Sequence, residues 1–183
     1  MKRLCLALAL SSLVSLPVAA QERKAAPLAP PEMLEGQRLV DRAAHFSIEA
    51  PPNWTWLAPP PDHPGFRNFA ASNPEGGLGY AVNTGTLELP WNADNARDIQ
   101  VGMAKKLREM GFRVELLTFT QTNVPSTGAY HFSWRVVLPQ GATMYRFGYE
   151  LKHNNRLLSF TCFAPENQEP SQFSSFVASV RLF

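Results

Sequence analysis

The sequence predicts an α+β fold: an antiparallel β-sheet of about six to eight strands with two main helices packed on it, an α-β-α sandwich. Three observations carry this reading. Short, turn-bounded segments rich in aromatic and β-branched residues recur along the chain. Two longer segments instead place apolar residues at helical spacing. Tight-turn sequences join the last three strand segments consecutively, as an antiparallel meander requires.

The first stretch lies outside the fold. In MKRLCLALALSSLVSLPVAA, basic Lys2 and Arg3 precede an apolar run over 4–16, and Val18 and Ala20 supply the small residues a signal peptidase needs. Residues 1–20 therefore read as an export signal cleaved after Ala20, and the expected location is periplasmic or secreted. The apolar run is shorter than the roughly 20 residues that span a bilayer. Cys5 lies far from the cleavage site, so neither a membrane span nor a lipid anchor is expected. Residues 21–36 are Pro/Ala-rich and aperiodic, a flexible spacer. Residues 37–183 form the single expected domain, long enough for a core of its own.

Cleavage removes Lys2 and Arg3 from the 17 Lys+Arg, leaving 15 against 15 Asp+Glu. A charge near zero excludes an electrostatic rationale for nucleic acid as a partner. Only Cys162 survives processing, so no disulfide forms within the mature chain.

Along the domain, strands are expected at 37–41, 45–50, 66–72, 78–84, 113–122, 129–138, 143–153 and 156–163. Six of the sixteen prolines fall in 51-PPNWTWLAPPPDHP-64, which reads as a loop and not a strand. Trp54 and Trp56 in it are either tucked onto the core edge or part of a recognition surface. One helix is expected over 94–111, with Ile99, Met103, Leu107 and Met110 on one stripe, Asn92 or Asp94 as cap and Gly111 at C′. A second is expected over 170–180, with Pro170 at N1 and a Phe173, Phe176, Val177, Val180 stripe.

Register follows from the turns. Asn154-Asn155 tolerates the positive φ of a two-residue hairpin and sets Leu151 opposite Leu158, Tyr149 opposite Phe160 and Phe147 opposite Cys162. The 139–142 turn, read as a loop of two or four residues, sets Trp134 opposite Phe147, Phe132 opposite Tyr149 and Tyr130 opposite Leu151. Together these predict one apolar wall. The other face then carries the row His131, Glu150, Ser159, with Ser133-Gly148-Thr161 and Arg135-Arg146-Phe163 beside it.

The chemistry in this pattern is sparse. Cys162 falls on the apolar wall and His131 on the opposite face, so the thiol reads as core and not as a nucleophile. His131, Glu150 and Ser159 have the residue types of a hydrolytic triad, but the acid would lie between the other two, where catalysis needs the histidine. A cross-strand polar group is the expected role, with these three, Trp54 and Trp56 as candidate ligand contacts and no catalytic residue. His45, His63, His131 and His153 are scattered, so no metal site and no cofactor are expected. Asp62-His63 and Gly76-Gly77 read as turns.

The entry 46-FSIEAPPNW-54 resembles the Phe-x-aliphatic-x-x-Pro-x-x-Trp opening of the PsbP-like family. The mid-chain helix after 88-ELPWNADNARD-98, the late meander and the Phe-rich helix after 160-FTCFAPE-166 resemble it too. That family includes the extrinsic PsbP protein of the oxygen-evolving photosystem, a Ran-GTPase-binding relative and exported bacterial proteins. The resemblance spans about residues 37–183. It implies an α-β-α sandwich and a non-enzymatic binding or accessory role, and carries no family functional residue onto this chain. The expected function is a soluble, non-catalytic envelope protein that binds a protein or a small ligand. Two other readings stand beside it: a small hydrolase using His131, Glu150 and Ser159, and an inhibitor or immunity-type protein using the 51–64 loop.

Overall fold

The computed structural model describes residues 33–57, 66–72 and 79–183. The export signal, most of the spacer, Asp62-His63 and the Gly76-Gly77 turn lie outside the described residues. The chain folds as α+β with two antiparallel sheets. A seven-stranded sheet runs β4 (Thr55–Leu57), β5 (Phe66–Ser72), β6 (Tyr80–Thr86), β10 (Arg156–Ala164), β9 (Thr143–His153), β8 (Ala129–Val137), β7 (Arg113–Thr122). A four-stranded sheet runs β1 (Leu34–Glu35), β2 (Arg38–Asp41), β3 (Phe46–Glu49), β11 (Arg181–Leu182). The first two expected strands thus leave the main sheet and pair with each other, and the second also pairs with the C-terminal β11. The 51–64 stretch is not all loop, since Thr55–Leu57 pairs with β5. That Thr-Trp-Leu run lies at a sheet edge, where neighbouring prolines cost no ladder hydrogen bonds.

Asn154 and Asn155 both adopt positive φ, 47° and 58°, and the β9–β10 register is the one their turn demands: Leu151 with Leu158, Tyr149 with Phe160, Phe147 with Cys162. The β8–β9 register differs from expectation by one residue. Its loop has three residues, 139–141, closed by Leu138 N–H to Ala142 O at 2.8 Å, with Gly141 at φ 94°. An odd loop length reverses the parity of β8. Trp134 therefore pairs with Arg146, Phe132 with Gly148, Tyr130 with Glu150, and His131 with Tyr149. The expected single wall is two: Phe147, Tyr149, Phe160 and Cys162 face one side, and Tyr130, Phe132, Trp134 and Val136 the other.

Each wall has its own cover. α1 (Ala93–Glu109) packs Met103, Ala104 and Leu107 against Val114, Phe132, Trp134, Val136 and Phe163. Asn92 caps it by accepting from Asn95 N–H at 2.9 Å, and Gly111 takes φ 88° just past its end. On the opposite face, α2 (Ser171–Ala178) and the small sheet pack Phe173, Phe176, Phe46 and Ile48 onto the Cys162 wall. Pro170 stands at the N-cap of α2, one position earlier than expected. A polar tie joins the sheets: buried Asp41 of β2 accepts from Arg67 of β5 at 2.7 Å and from the Ala43 and Ala44 N–H groups.

Gly148 lies in close contact with the Phe132 ring. A Cβ there would stand 2.2 Å from Cζ of Phe132, whose ring lies across the glycine. We expect Gly148→Ala to destabilise the fold by about 2 kcal/mol, measured by urea denaturation. Phe132→Leu should recover part of that loss, and strict additivity of the two changes would show that the ring contact is not the cause.

Candidate functional site

The row His131, Glu150, Ser159 is not assembled. Glu150 and Ser159 lie side by side beneath α1, while the reversed parity of β8 puts His131 on the face turned toward α2. Two polar clusters result, one on each side of the sheet.

Beneath α1, Ser159 donates to Glu150 Oε1 at 3.2 Å, and Gln100 Nε2 donates to Glu150 Oε2 at 2.7 Å. The Gln100 carbonyl in turn accepts from Trp134 Nε1–H at 3.1 Å. All four residues are buried. Arg146 is buried beside them, its guanidinium 5.0 Å from the Phe132 ring centroid and 5.8 Å from that of Trp134, with Nη1 2.9 Å from Met103 Sδ. Burial drives both charged groups toward neutrality. It raises the Glu150 carboxyl to about 7 against the opposing pull of Arg146, Gln100 and Ser159, and lowers Arg146 to about 10 against the pull of Glu150.

On the other face, His131 Nε2 lies 2.6 Å from Glu169 Oε2, and the Tyr149 hydroxyl donates to Oε1 at 2.9 Å. Ser174 of α2 donates to the same oxygen at 2.5 Å. Burial works to raise Glu169, but the hydrogen bonds from His131, Ser174 and Tyr149 outweigh it and hold the carboxyl below its ordinary range. The His131 side chain keeps 24% of its surface exposed and Glu169 16%, so this cluster touches solvent.

His131 does share the Cys162 side of the sheet, contrary to the sequence-derived parity, yet it is engaged by Glu169. Cys162 is 1% exposed, and burial pushes its thiol far above the ordinary range. It is a core residue, for want of access. Trp56 is 3% exposed and donates Nε1–H to Gln37 O at 2.9 Å, also a core role. Trp54 is half-buried and packs on Tyr80, ring centroids 4.6 Å apart. The residues that sequence reasoning missed are Gln100 and Glu169. Gln100 has a signal, because it falls inside the apolar stripe of α1 between Ala96 and Met103; Glu169 has none beyond preceding Pro170.

Seven strands in the order β4-β5-β6-β10-β9-β8-β7, one helix on one face and a second helix with a small sheet on the other, match a solved architecture. The solution structure of cyanobacterial PsbP (CyanoP) from Synechocystis sp. PCC 6803 superposes with TM-score 0.65, over 80% of this chain and 92% of that one, at 14% identity. The fold is PsbP-like. A crystal structure from Bacteroides thetaiotaomicron aligns over 82% of this chain and 49% of that one, at 13% identity and TM-score 0.49. No protein-family model and no curated protein matches the sequence. Each cluster fastens a covering helix to the shared sheet. Among the described residues, no helix is long and apolar enough to cross a membrane, and no group of three or more His, Cys, Asp or Glu is placed to hold a metal ion.

The two carboxyls titrate in opposite senses. Glu150 has a raised folded-state pKa, so its contribution to stability is complete below the unfolded value and is lost as pH rises through about 7. Glu169 has a lowered one, so its contribution is complete above the unfolded value and is lost as pH falls through the folded value. Stability is expected to be greatest in mildly acidic solution. Glu150→Gln should flatten the decline between about pH 5 and 7 in urea midpoints; an unchanged slope would exonerate Glu150. For the second cluster, Glu169→Ala should speed amide exchange over residues 169–174 by about tenfold while leaving β9 and β10 protected.

Proposed function

We propose that the mature protein is an exported, non-catalytic accessory protein of the bacterial envelope that binds a protein or a small ligand. Its contact surface is the side carrying His131, Glu169, the first turn of α2 and Trp54. One observation carries the reading: both carboxylates sit at the centres of their clusters and accept from hydroxyls, Glu150 from Ser159 and Glu169 from Tyr149 and Ser174. A hydroxyl that donates to a carboxylate, with no histidine between them, is fixed in place and is not relayed into a nucleophile. The export signal and the PsbP-like fold support the same role. Partial exposure of His131 and Trp54, a titratable group and an aromatic face, supports this side as the contact surface.

Affinity capture from the native envelope with the tagged mature protein tests the proposal. Trp54→Ala and His131→Ala proteins that remain folded are expected to lose at least about tenfold in captured partner. Undiminished capture by both would move the surface elsewhere. Turnover of any substrate that disappears in folded His131→Ala and Glu150→Ala proteins alike would overturn the non-catalytic assignment, since those residues lie on opposite faces.

A further inference from the structure

The polar row under α1 continues past Ser159. The next residues across the sheet on that face are Asn83 of β6, paired with Ser159, and Asn68 of β5, paired with Asn83. One step along β10 on the same face stands Thr161. Asn83 is 2% exposed and Thr161 1%. Neither Nδ2 nor Oδ1 of Asn83, nor Oγ1 of Thr161, has a hydrogen-bond partner among the described residues. Orphaned buried amides and hydroxyls are rare in folded proteins, because each one left unpaired lowers the folded population by about tenfold.

The register brings these groups within reach of one another. Directly paired residues place Cβ atoms about 5 Å apart, and diagonal neighbours about 7 Å. Asn83, Ser159 and Thr161 therefore converge on a common space. On β6 and β5 the neighbours of Thr161 are Ala81 and Ala70, both half-buried, and on β9 its partner is Gly148, across which the Phe132 ring lies. The unfilled valences are mixed: two N–H donors and a carbonyl from Asn83, a donor and an acceptor from Thr161, and the lone pairs of Ser159, whose proton goes to Glu150. We infer that Asn83, Thr161 and Ser159 form an internal hydration site, in which one or two tightly held water molecules bridge the three side chains.

Water suits this site chemically. It both donates and accepts, as the mixed valences demand, and it suits groups that are almost wholly enclosed. At the outer end of the row Asn68 is half-buried.

Two shape-preserving apolar variants, Thr161→Val and Asn83→Leu, test the site by the sign of their effect. If water fills it, each variant loses a bridging partner, and the folded-to-unfolded ratio falls by about tenfold. If the polar atoms are orphans, the same changes remove a penalty and the ratio rises. A high-resolution crystal structure of the mature wild-type protein supplies the second measurement and decides the matter should Asn83→Leu fail to fold. Water density within hydrogen-bond distance of Asn83 and Thr161, absent in Thr161→Val, is the expected result. No density there, a stabilised Thr161→Val protein, or density for a solute larger than water would each overturn the inference.

Discussion

The three-residue loop between β8 and β9 decides what every side chain of β8 touches. Side chains alternate across a strand, so a loop of odd length and one of even length send the same strand to opposite faces. With Gly141 at φ 94° closing the odd loop, Phe132 lies across Gly148, Trp134 reaches Gln100, and His131 reaches Glu169. An even loop would carry the indole and the Phe132 ring to the α2 side and the imidazole under α1. Gly148 opposes that alternative from β9. It has no side chain to obstruct the Phe132 ring, and the ring fills the space the glycine leaves.

Upon that parity the two covering layers are fastened in the same chemical manner, by one carboxylate on each side. The contribution differs between them. Glu150 is wholly enclosed, so its charge is costly and its neutral form is favoured. Glu169 keeps some solvent and gathers three donors, so its charged form is favoured. Glu169 directly precedes α2, where a negative charge also faces the positive end of the helix. Enclosure and the count of donors, more than residue type, separate the two carboxyls.

Much of this was legible from residues alone. The Asn154-Asn155 turn fixed β9 against β10, because consecutive asparagines suit two successive positive φ values and little else. The spacing of Ile99, Met103 and Leu107 located α1, and the position of Cys162 on an apolar strand located the core. The 139–142 turn was less informative. Pro, Gln, Gly and Ala accommodate loops of two, three or four residues, and the glycine that marks a three-residue loop is also ordinary in the others. The small sheet was hidden for another reason. Its closing pair, β3 with β11, joins Phe46 and Ser47 to Leu182 and Arg181, residues remote in sequence and only two long in the partner strand. No local pattern announces such a contact, and without it β2 and β3 read as strands of the main sheet. The polar row failed for parity alone: Glu150 and Ser159 met as the β9–β10 turn required, and His131 was lost with the register of β8.

The buried Gln100–Glu150 bridge explains why α1 sits in one place on a sheet that is apolar along much of its length. A stripe of Met103, Ala104 and Leu107 packs nearly as well one turn up or down, since hydrophobic contact is not directional. Gln100 removes that freedom. Its carbonyl must meet the Trp134 indole while its amide meets Glu150, and a shift of one turn, about 5.4 Å, would leave the indole N–H and the Gln100 amide buried and unpaired and take one of its two donors from Glu150. Replacing such a network with well-packed apolar residues is often neutral or stabilising, so its contribution is better sought in specificity than in net stability. The structure favours that account here. The carboxyl is held toward its neutral form, the β9–β10 register brings Ser159 to it, and Gln100 reaches both it and the Trp134 indole from one helix position.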